Sequence, residues 1–288
     1  IGGPTANMYR MRCAKPEIEK ICRRLSCVSP VICKCLGTDH GPLTELMKKS
    51  REVEGVKKTL VASGIRMDLA RLSPEYMGEL SRHHVGGRLK VAPEHTDPCV
   101  LGLMKKPPHG TFEDFAAQFK EESRKAGKEQ FLIPYFIASH PGSDLKAMIG
   151  LAVFLKRSGF RPDQVQDFIP APFDLATAMY YTGKDPETGA PVPVAKKLRD
   201  RKFQRALLQF FKPENYLEVR EALLKAGRRD LIGSGPDCLI PSRPPAAALL
   251  DRRRRAGEAL GDFVHRIDAP RPAGYRPKRP SAARRPRA

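Results

Sequence analysis

The chain has 288 residues, of which 41% are hydrophobic and 29% charged, an ordinary composition for a globular protein with one substantial core. No stretch approaches the apolar length that a membrane helix needs, and the first residues, IGGPTANMYR, are not a signal peptide. Composition therefore predicts a cytoplasmic protein without a membrane partner. Ile1 is followed at once by a Gly-Gly-Pro turn with no strand before it, which favours a chain that lacks its N-terminal part.

The net charge of +20 is unevenly distributed. From Asp251 onward there are twelve Lys or Arg residues and four Asp or Glu residues, and from Pro270 onward there is no Asp or Glu. Such a segment has too little apolar surface to fold, so we predict a disordered Arg/Pro-rich tail over residues 246–288. Nucleic acid is a possible partner for this tail, although solubility and composition bias would explain the same charge without a partner.

Apolar runs alternate with amphipathic segments along most of the chain. Strands are predicted over residues 56–64, 88–95, 131–139 and 163–172, and helices over residues 16–25, 41–53, 73–84, 97–106, 111–127, 143–159, 197–211 and 215–227. Repeated βα units favour a parallel sheet with right-handed crossovers. We therefore predict an α/β fold, a partial (β/α) TIM-like barrel over residues 1–185 with a Cys-rich insertion at about 10–40, followed by a helical region over 186–245.

Small, polar and titratable residues follow the predicted strands, where parallel barrels hold their ligands. They are Ser63, Gly64 and Arg66, then Pro93, Glu94, His95 and Thr96, then Ser139, His140, Pro141 and Gly142, and finally Pro170 and Pro172. Turn chemistry alone explains Gly, Pro and Ser at such positions. Glu94 and His95 are titratable, and their position indicates a ligand site.

Five of the seven cysteines lie between Cys13 and Cys35. In a reduced compartment this crowding points to metal or to reactive thiols, and Cys13, Cys22, Cys27 and Cys33 could hold zinc or an auxiliary iron–sulfur cluster. Their spacings are not the paired CxxC kind, and free cysteines are commonly buried for packing alone. Both interpretations stay open.

Seven runs of sequence resemble the YgiQ family of radical S-adenosylmethionine proteins, and the resemblance extends from Ile1 to about Pro241. The runs are IGGPTANMYRMRC, CRRLSCVSPVIC, TDHGPLTELMKKSREVEGVKKTLVASGIRMDLA, HHVGGRLKVAPEHT, GKEQFLIPYFIASHPG, VQDFIPAPFDLATAMYYTGKDP and RRDLIGSGPDCLIP. The family implies a [4Fe–4S] cluster on a CxxxCxxC loop, S-adenosyl-L-methionine on its open iron, and a reductant such as flavodoxin or ferredoxin. It leaves the substrate unknown.

This chain contains no CxxxCxxC, so the resemblance implies that the cluster loop lies upstream and that the chain alone does not start radical chemistry. It also implies cofactor contacts at matching positions. Gly2 and Gly3 would meet the methionyl amine, with Thr5 in place of the usual acidic residue. Glu94 and His95 would lie near the ribose. Ser139 and His140 belong to the run that lines the adenine side.

Two other functions compete with the radical enzyme. One is a basic α/β module that binds RNA or the ribosome, and the other is a metal-stabilised scaffold without activity. The first is disfavoured by a chain with no Trp and only 7% aromatic residues, because nucleic-acid bases need stacking partners.

Overall fold

A three-stranded parallel sheet forms the centre of the fold. The computed structural model describes residues 5–260, 263–264 and 276–277. Strands β1 (Arg88–Glu94), β2 (Phe131–Ala138) and β3 (Gln166–Asp167) lie in the order β1-β2-β3, so chain order and spatial order agree. All three therefore direct their carboxyl ends to one edge, as the repeated strand–helix pattern predicted.

The inner face of the sheet is apolar because buried, apolar side chains alternate along β1 and β2 with side chains that point to the other face. Leu89 and Val91 of β1 are buried, as are Phe136 and Ala138 of β2. A single parallel bridge between Ile65 and Val91 extends the sheet on the far side of β1.

Eleven α-helices and three short helical turns are assigned in the described residues. The α-helices are α1 (Pro16–Glu19), α2 (Gly41–Glu52), α3 (Met67–Ala70), α4 (Pro74–Glu79), α5 (Pro98–Leu103), α6 (Gly110–Lys125), α7 (Leu145–Ser158), α8 (Leu175–Thr182), α9 (Leu198–Leu208), α10 (Tyr216–Lys225) and α11 (Ala246–Leu260). A π-helical turn spans Leu80–His84, and 3-10 turns span Pro213–Asn215 and Arg229–Leu231.

Two of these helices make the crossovers between strands. Helix α6 connects β1 to β2 and buries Phe112, Phe115 and Phe119, which are spaced along one side of the helix. Helix α7 connects β2 to β3; Asp144 accepts from the amide of Ala147 at its start, and left-handed Gly159 ends it.

The core has two parts, one on each crossover helix. The first packs α2, α4 and α6 against β1, and the second packs α7, α9 and α10 against β2. Phe154 and Phe160 contact both parts. Because the predicted helical region supplies α9 and α10 to the second part, it is packed against the sheet.

The sheet is open in the part of the chain that the structure describes. The predicted α/β class is therefore observed, but the described residues form three parallel strands and one bridge and not a barrel. Residues 56–64, predicted as a strand, are not assigned to one, and the bridge to β1 is made by the next residue, Ile65. Strand β3 is much shorter than predicted, since Pro162 and Pro170 flank it and proline cannot donate to a ladder.

The predicted disordered tail begins with a helix. In α11 the run Ala246–Leu250 supplies good helix formers, Ala248 is buried, and Asp251 pairs with Arg254 and Arg255. The composition argument missed this because it weighed the arginines and not the apolar turn before them. A two-residue antiparallel pair, β4 (Phe263–Val264) with β5 (Arg276–Pro277), follows. The rest of the predicted tail lies outside the described residues.

None of the helices in the described residues combines the length and the apolar character needed to cross a membrane.

Candidate functional site

A cavity of about 510 Å³ opens at the carboxyl ends of all three strands. Its wall includes Glu94 from the end of β1, Tyr135 and Ile137 from β2, and Gln166 and Asp167 from β3. The loops beyond the strands add His140, Phe168, Ile169, Phe173 and Asp174, and the segment 103–105 after α5 closes one side. A ligand pocket at this edge is the usual arrangement in parallel α/β folds.

Glu94 faces the cavity because β1 is irregular at its end. The register between β1 and β2 shifts between Val91 and Glu94, and Glu94 adopts a left-handed backbone with φ of 64°. A non-glycine residue in this conformation is strained, and such strain is concentrated at functional sites. The Glu94 carboxylate pairs with Lys106 Nζ at 3.0 Å, so it is held in place while it lines the cavity.

His140 presents a basic nitrogen to the cavity. Its Nδ1 lies 2.7 Å from the carbonyl oxygen of Pro141, which can only accept, so Nδ1 carries the proton and Nε2 of the neutral ring is an acceptor. Burial lowers the pKa of His140, although the Pro141 carbonyl, Glu94 and Asp174 act in the opposite direction. The ring also packs edge-on against Phe168 at 5.2 Å between centroids. His140 is therefore a neutral acceptor near pH 7.

His95 lies behind this wall, fully buried, and its side chain is engaged at both nitrogens. Nδ1 accepts from the amides of Thr96 and Asp97, each at 3.0 Å, so the proton is on Nε2, which lies 3.3 Å from Ser143 Oγ. Burial lowers the pKa of His95 to about 4. The ring thus joins the start of α5 to the loop after β2, and positions the site from behind.

Ser139 begins the tight loop that carries His140. Its backbone is left-handed, its amide donates to Gln204 Oε1 at 2.8 Å, and Gln204 Nε2 donates to the Ser143 carbonyl at 2.7 Å. Gln204, on α9, therefore fixes both ends of the loop. Ser139 Oγ is buried and has no hydrogen-bond partner among the described residues.

Strand-end reasoning overlooked the polar groups within β2 and β3. The Tyr135 hydroxyl donates to Gln166 Oε1 at 2.6 Å, and burial, then Glu94, raises the pKa of Tyr135. Asp167 Oδ1 is buried without a partner in the described residues, while Oδ2 lies 3.7 Å from Arg205. Alternation along the strands could have identified Tyr135 and Gln166, since both point to the face away from the crossover helices.

Of the N-terminal predictions, Thr5 lies in the described part of the chain. Gly2 and Gly3 lie outside the described residues. Thr5 precedes Ala6, whose amide donates to the Gly64 carbonyl at 3.2 Å. Asn7 is fully buried and bonds both the amide and the carbonyl of Arg66, at 2.6 and 2.9 Å. The segment thus lies beside residues 64–66, which bridge to β1, but Thr5 does not line the 510 Å³ cavity.

Of the cysteines predicted as metal ligands, Cys13 and Cys33 lie beside Cys35, and the Cys33 amide donates to the Cys27 carbonyl at 2.7 Å. Cys35 donates its amide to Cys33 Sγ at 3.4 Å, and the Cys13–Leu36 bridge brings Cys13 alongside. Desolvation and the neighbouring Cys33 and Cys13 raise the pKa of Cys35. Cys22 and Cys27 are exposed. In the described part of the chain no set of three or more His, Cys, Asp or Glu side chains is arranged to hold a metal ion.

The fold is an α/β domain with a cavity, lined in part by polar side chains, at the carboxyl edge of a parallel sheet. Residues 163–273 match the family model "Domain of unknown function (DUF3362)". A UPF0313 protein of Vibrio parahaemolyticus is 49% identical over 89% of this chain and 34% of its own length. A UPF0313 protein of Pseudomonas putida is 51% identical over 88% of this chain and 34% of its own length.

A third relative, from Chromobacterium violaceum, is also a UPF0313 protein and is 46% identical over 96% of this chain. Most of the chain is therefore homologous to UPF0313 proteins, in agreement with the YgiQ-type resemblance. The chain spans about a third of the length of the curated relatives that it matches.

Proposed function

We propose that this chain forms the S-adenosylmethionine-binding edge of a radical enzyme whose iron–sulfur cluster is held by another part of the full-length protein. The observation that carries the proposal is the cavity at the carboxyl ends of β1, β2 and β3, with Glu94 and His140 on its wall. The sequence resemblance supports the same assignment, because it places Glu94 near the cofactor ribose and His140 on the adenine side.

The described residues fit the organic cofactor. A volume of about 510 Å³ is within the usual range for small-molecule pockets. Glu94, Asp167 and Asp174 outnumber Lys105 on the wall, and this excess of acidic groups favours a cationic sulfonium ligand. The Glu94 carboxylate, fixed by Lys106, can accept from a ribose diol, and neutral His140 Nε2 can accept from an exocyclic amino group.

The same residues do not fit the cluster. No cysteine belongs to the described cavity wall, and the Cys13, Cys33 and Cys35 group is not arranged as a metal site. When bound to such a cluster the cofactor supplies a 5′-deoxyadenosyl radical. The role of this chain is then to hold the adenosyl group, orient it with Glu94 and His140, and cover it with Phe168 and Ile169.

Titration of the chain with S-adenosylmethionine by calorimetry tests the binding half of this proposal. We expect saturable binding that Glu94→Gln weakens at least about fivefold, the effect of losing a charged hydrogen-bond acceptor. Glu75→Gln is the matched control, because Glu75 pairs with Lys48 at 3.0 Å and neither residue lines this cavity. No saturable binding, or equal losses in the two variants, would remove the assignment.

A further inference from the structure

A continuous strip of aromatic side chains leads from the cavity to the protein surface. The Phe168 ring, which packs on His140 inside the cavity, contacts Tyr180 at 5.8 Å, and Tyr180 contacts Tyr181 at 5.3 Å between centroids. Tyr181 is 68% exposed. The 7% aromatic content of the whole chain concealed this local concentration.

Phe173 stands at the mouth of the cavity and is entirely exposed, with a relative accessibility of 108%. Its backbone is left-handed, with φ of 63°. The loop before it is fixed by Thr177, whose hydroxyl donates to the Ala171 carbonyl at 2.6 Å and accepts from the Ala171 amide at 2.9 Å. An aromatic ring held outward on a strained, fixed loop costs stability, so it points to a role in binding.

Basic side chains border the aromatic strip. Lys196 Nζ donates to the Tyr181 carbonyl at 2.9 Å and lies 5.9 Å from the centre of the Tyr180 ring. On α9 the Arg201 guanidinium donates to the Phe168 carbonyl, and Arg205 lies beside Asp167. Arg201 and Arg205 are four residues apart on α9, so they lie on the same side of the helix.

We propose that this aromatic–basic strip, formed by Phe173, Tyr180, Tyr181, Lys196, Arg201 and Arg205, binds single-stranded nucleic acid beside the cavity. Exposed rings that stack on bases, next to cations that follow the phosphates, are the two components of single-strand binding. A duplex would keep its bases stacked away from the rings. One part of this inference rests on the proposed function, namely that the bound strand is the substrate of the radical enzyme. The binding of the strand to this surface does not depend on it.

Fluorescence anisotropy with a labelled oligouridylate of about twelve nucleotides tests this surface on the full 288-residue chain. Oligothymidylate and a duplex of equal length form the comparison arms. We expect both single strands to bind more tightly than the duplex, and tighter binding of oligouridylate would identify RNA. Phe173→Ala and Tyr181→Ala should each weaken single-strand binding at least about fivefold, because each removes a stacking partner that is exposed and so dispensable for folding.

Charge is tested with matched pairs. Lys196→Gln combined with Arg205→Gln should make the dependence of affinity on salt shallower, by about 0.7 in logarithmic slope for each phosphate that the variant no longer neutralises. Lys57→Gln combined with Lys58→Gln removes the same charge from two exposed residues outside the strip and should change little. Arg252→Gln combined with Arg253→Gln tests whether α11 and the basic tail dominate instead.

Three results would overturn the inference: no binding at low salt, equal affinity for duplex and single strand, or equal losses in all three charge pairs. These titrations contain no S-adenosylmethionine, and the cofactor titration contains no nucleic acid. Failure of one proposal is therefore distinguishable from failure of the other.

Discussion

At the scale of single residues, the site is held by groups with different hydrogen-bonding needs. Glu94 and Ser139 end adjacent strands in the same left-handed conformation, which only the surrounding structure can impose. Ser139 leaves its hydroxyl unpaired within the described residues, whereas Ser143 accepts from buried His95. Two serines four residues apart therefore have opposite consequences when removed.

Ser143→Ala should lower the free energy of unfolding by about 1–3 kcal/mol, because it leaves the buried His95 Nε2–H without a partner. Ser139→Ala deletes a hydroxyl that has no partner to lose, so stability should be unchanged or higher by about 1 kcal/mol. Urea unfolding of both variants measures the difference. Equal destabilisation would mean that the Ser139 hydroxyl is bonded in solution.

The surroundings of Glu79 make the free energy of unfolding depend on pH. Burial acts to raise its pKa, but the hydrogen bond from His84 at 3.1 Å and the charge of Arg51 at 2.8 Å outweigh burial, so the pKa lies below its usual 4.5. A lowered carboxyl pKa contributes stability that is present above the unfolded-state pKa and is lost as pH falls through the folded-state value.

Glu79→Gln should therefore cost about 1–3 kcal/mol at pH 7 and much less at acidic pH, below the folded-state pKa, where the wild-type carboxyl is already protonated. Denaturant unfolding at pH 7 and under acidic conditions measures this. Glu75→Gln is the control, since Glu75 pairs with Lys48 on the surface. A loss that is the same at both pH values would contradict the account.

At the scale of elements, the loop after β2 is the structural centre of the site. Gly142 has φ of 91°, and a Cβ there would lie 2.4 Å from Leu103 Cδ1 on α5. Its amide donates to the Pro193 carbonyl at 2.8 Å. The loop is thus fitted between α5 and the segment before α9, and only glycine suits the position.

Gly142→Ala should destabilise the protein by about 2–4 kcal/mol, through the clash with Leu103 and the left-handed backbone. Combining Gly142→Ala with Leu103→Ala should restore the stability that is lost through the clash, but not the stability that is lost through the left-handed backbone. A double-mutant cycle by thermal or urea unfolding measures this coupling. Strict additivity of the two substitutions would show that the contact is absent in solution.

Sequence reasoning located β1, β2, α6 and α7, where the period-two and period-3.6 patterns are strong, but residues 56–64, also predicted as a strand, are not assigned to one. It also directed attention to the sheet edge at which the cavity opens, and so to Glu94 and His140, which line that cavity. It could not foresee that His95 turns inward, because a side-chain direction at a strand end depends on the local bulge. It missed the first turns of α11, and it predicted a longer β3 than is observed. In both segments the local composition favours a different structure from the one that forms with the rest of the chain.

At the scale of the whole molecule, the sheet in the described residues is open, and the face of β2 away from the crossover helices carries exposed Phe131 and Ile133. The chain also spans about a third of the length of its relatives. The proposed function therefore requires the cluster, and any further strands of a barrel, to come from outside the residues described, and it assigns the adenosyl-binding edge to this chain.

The central claim is that proteins of this family cleave S-adenosylmethionine reductively. The most direct measurement is chromatographic detection of 5′-deoxyadenosine after anaerobic reconstitution of a full-length UPF0313 relative with iron and sulfide and reduction with dithionite. The account predicts 5′-deoxyadenosine in the reduced, iron-loaded sample and none in the unreduced sample. A protein that carries its cluster, binds the cofactor and yet yields no 5′-deoxyadenosine would contradict it.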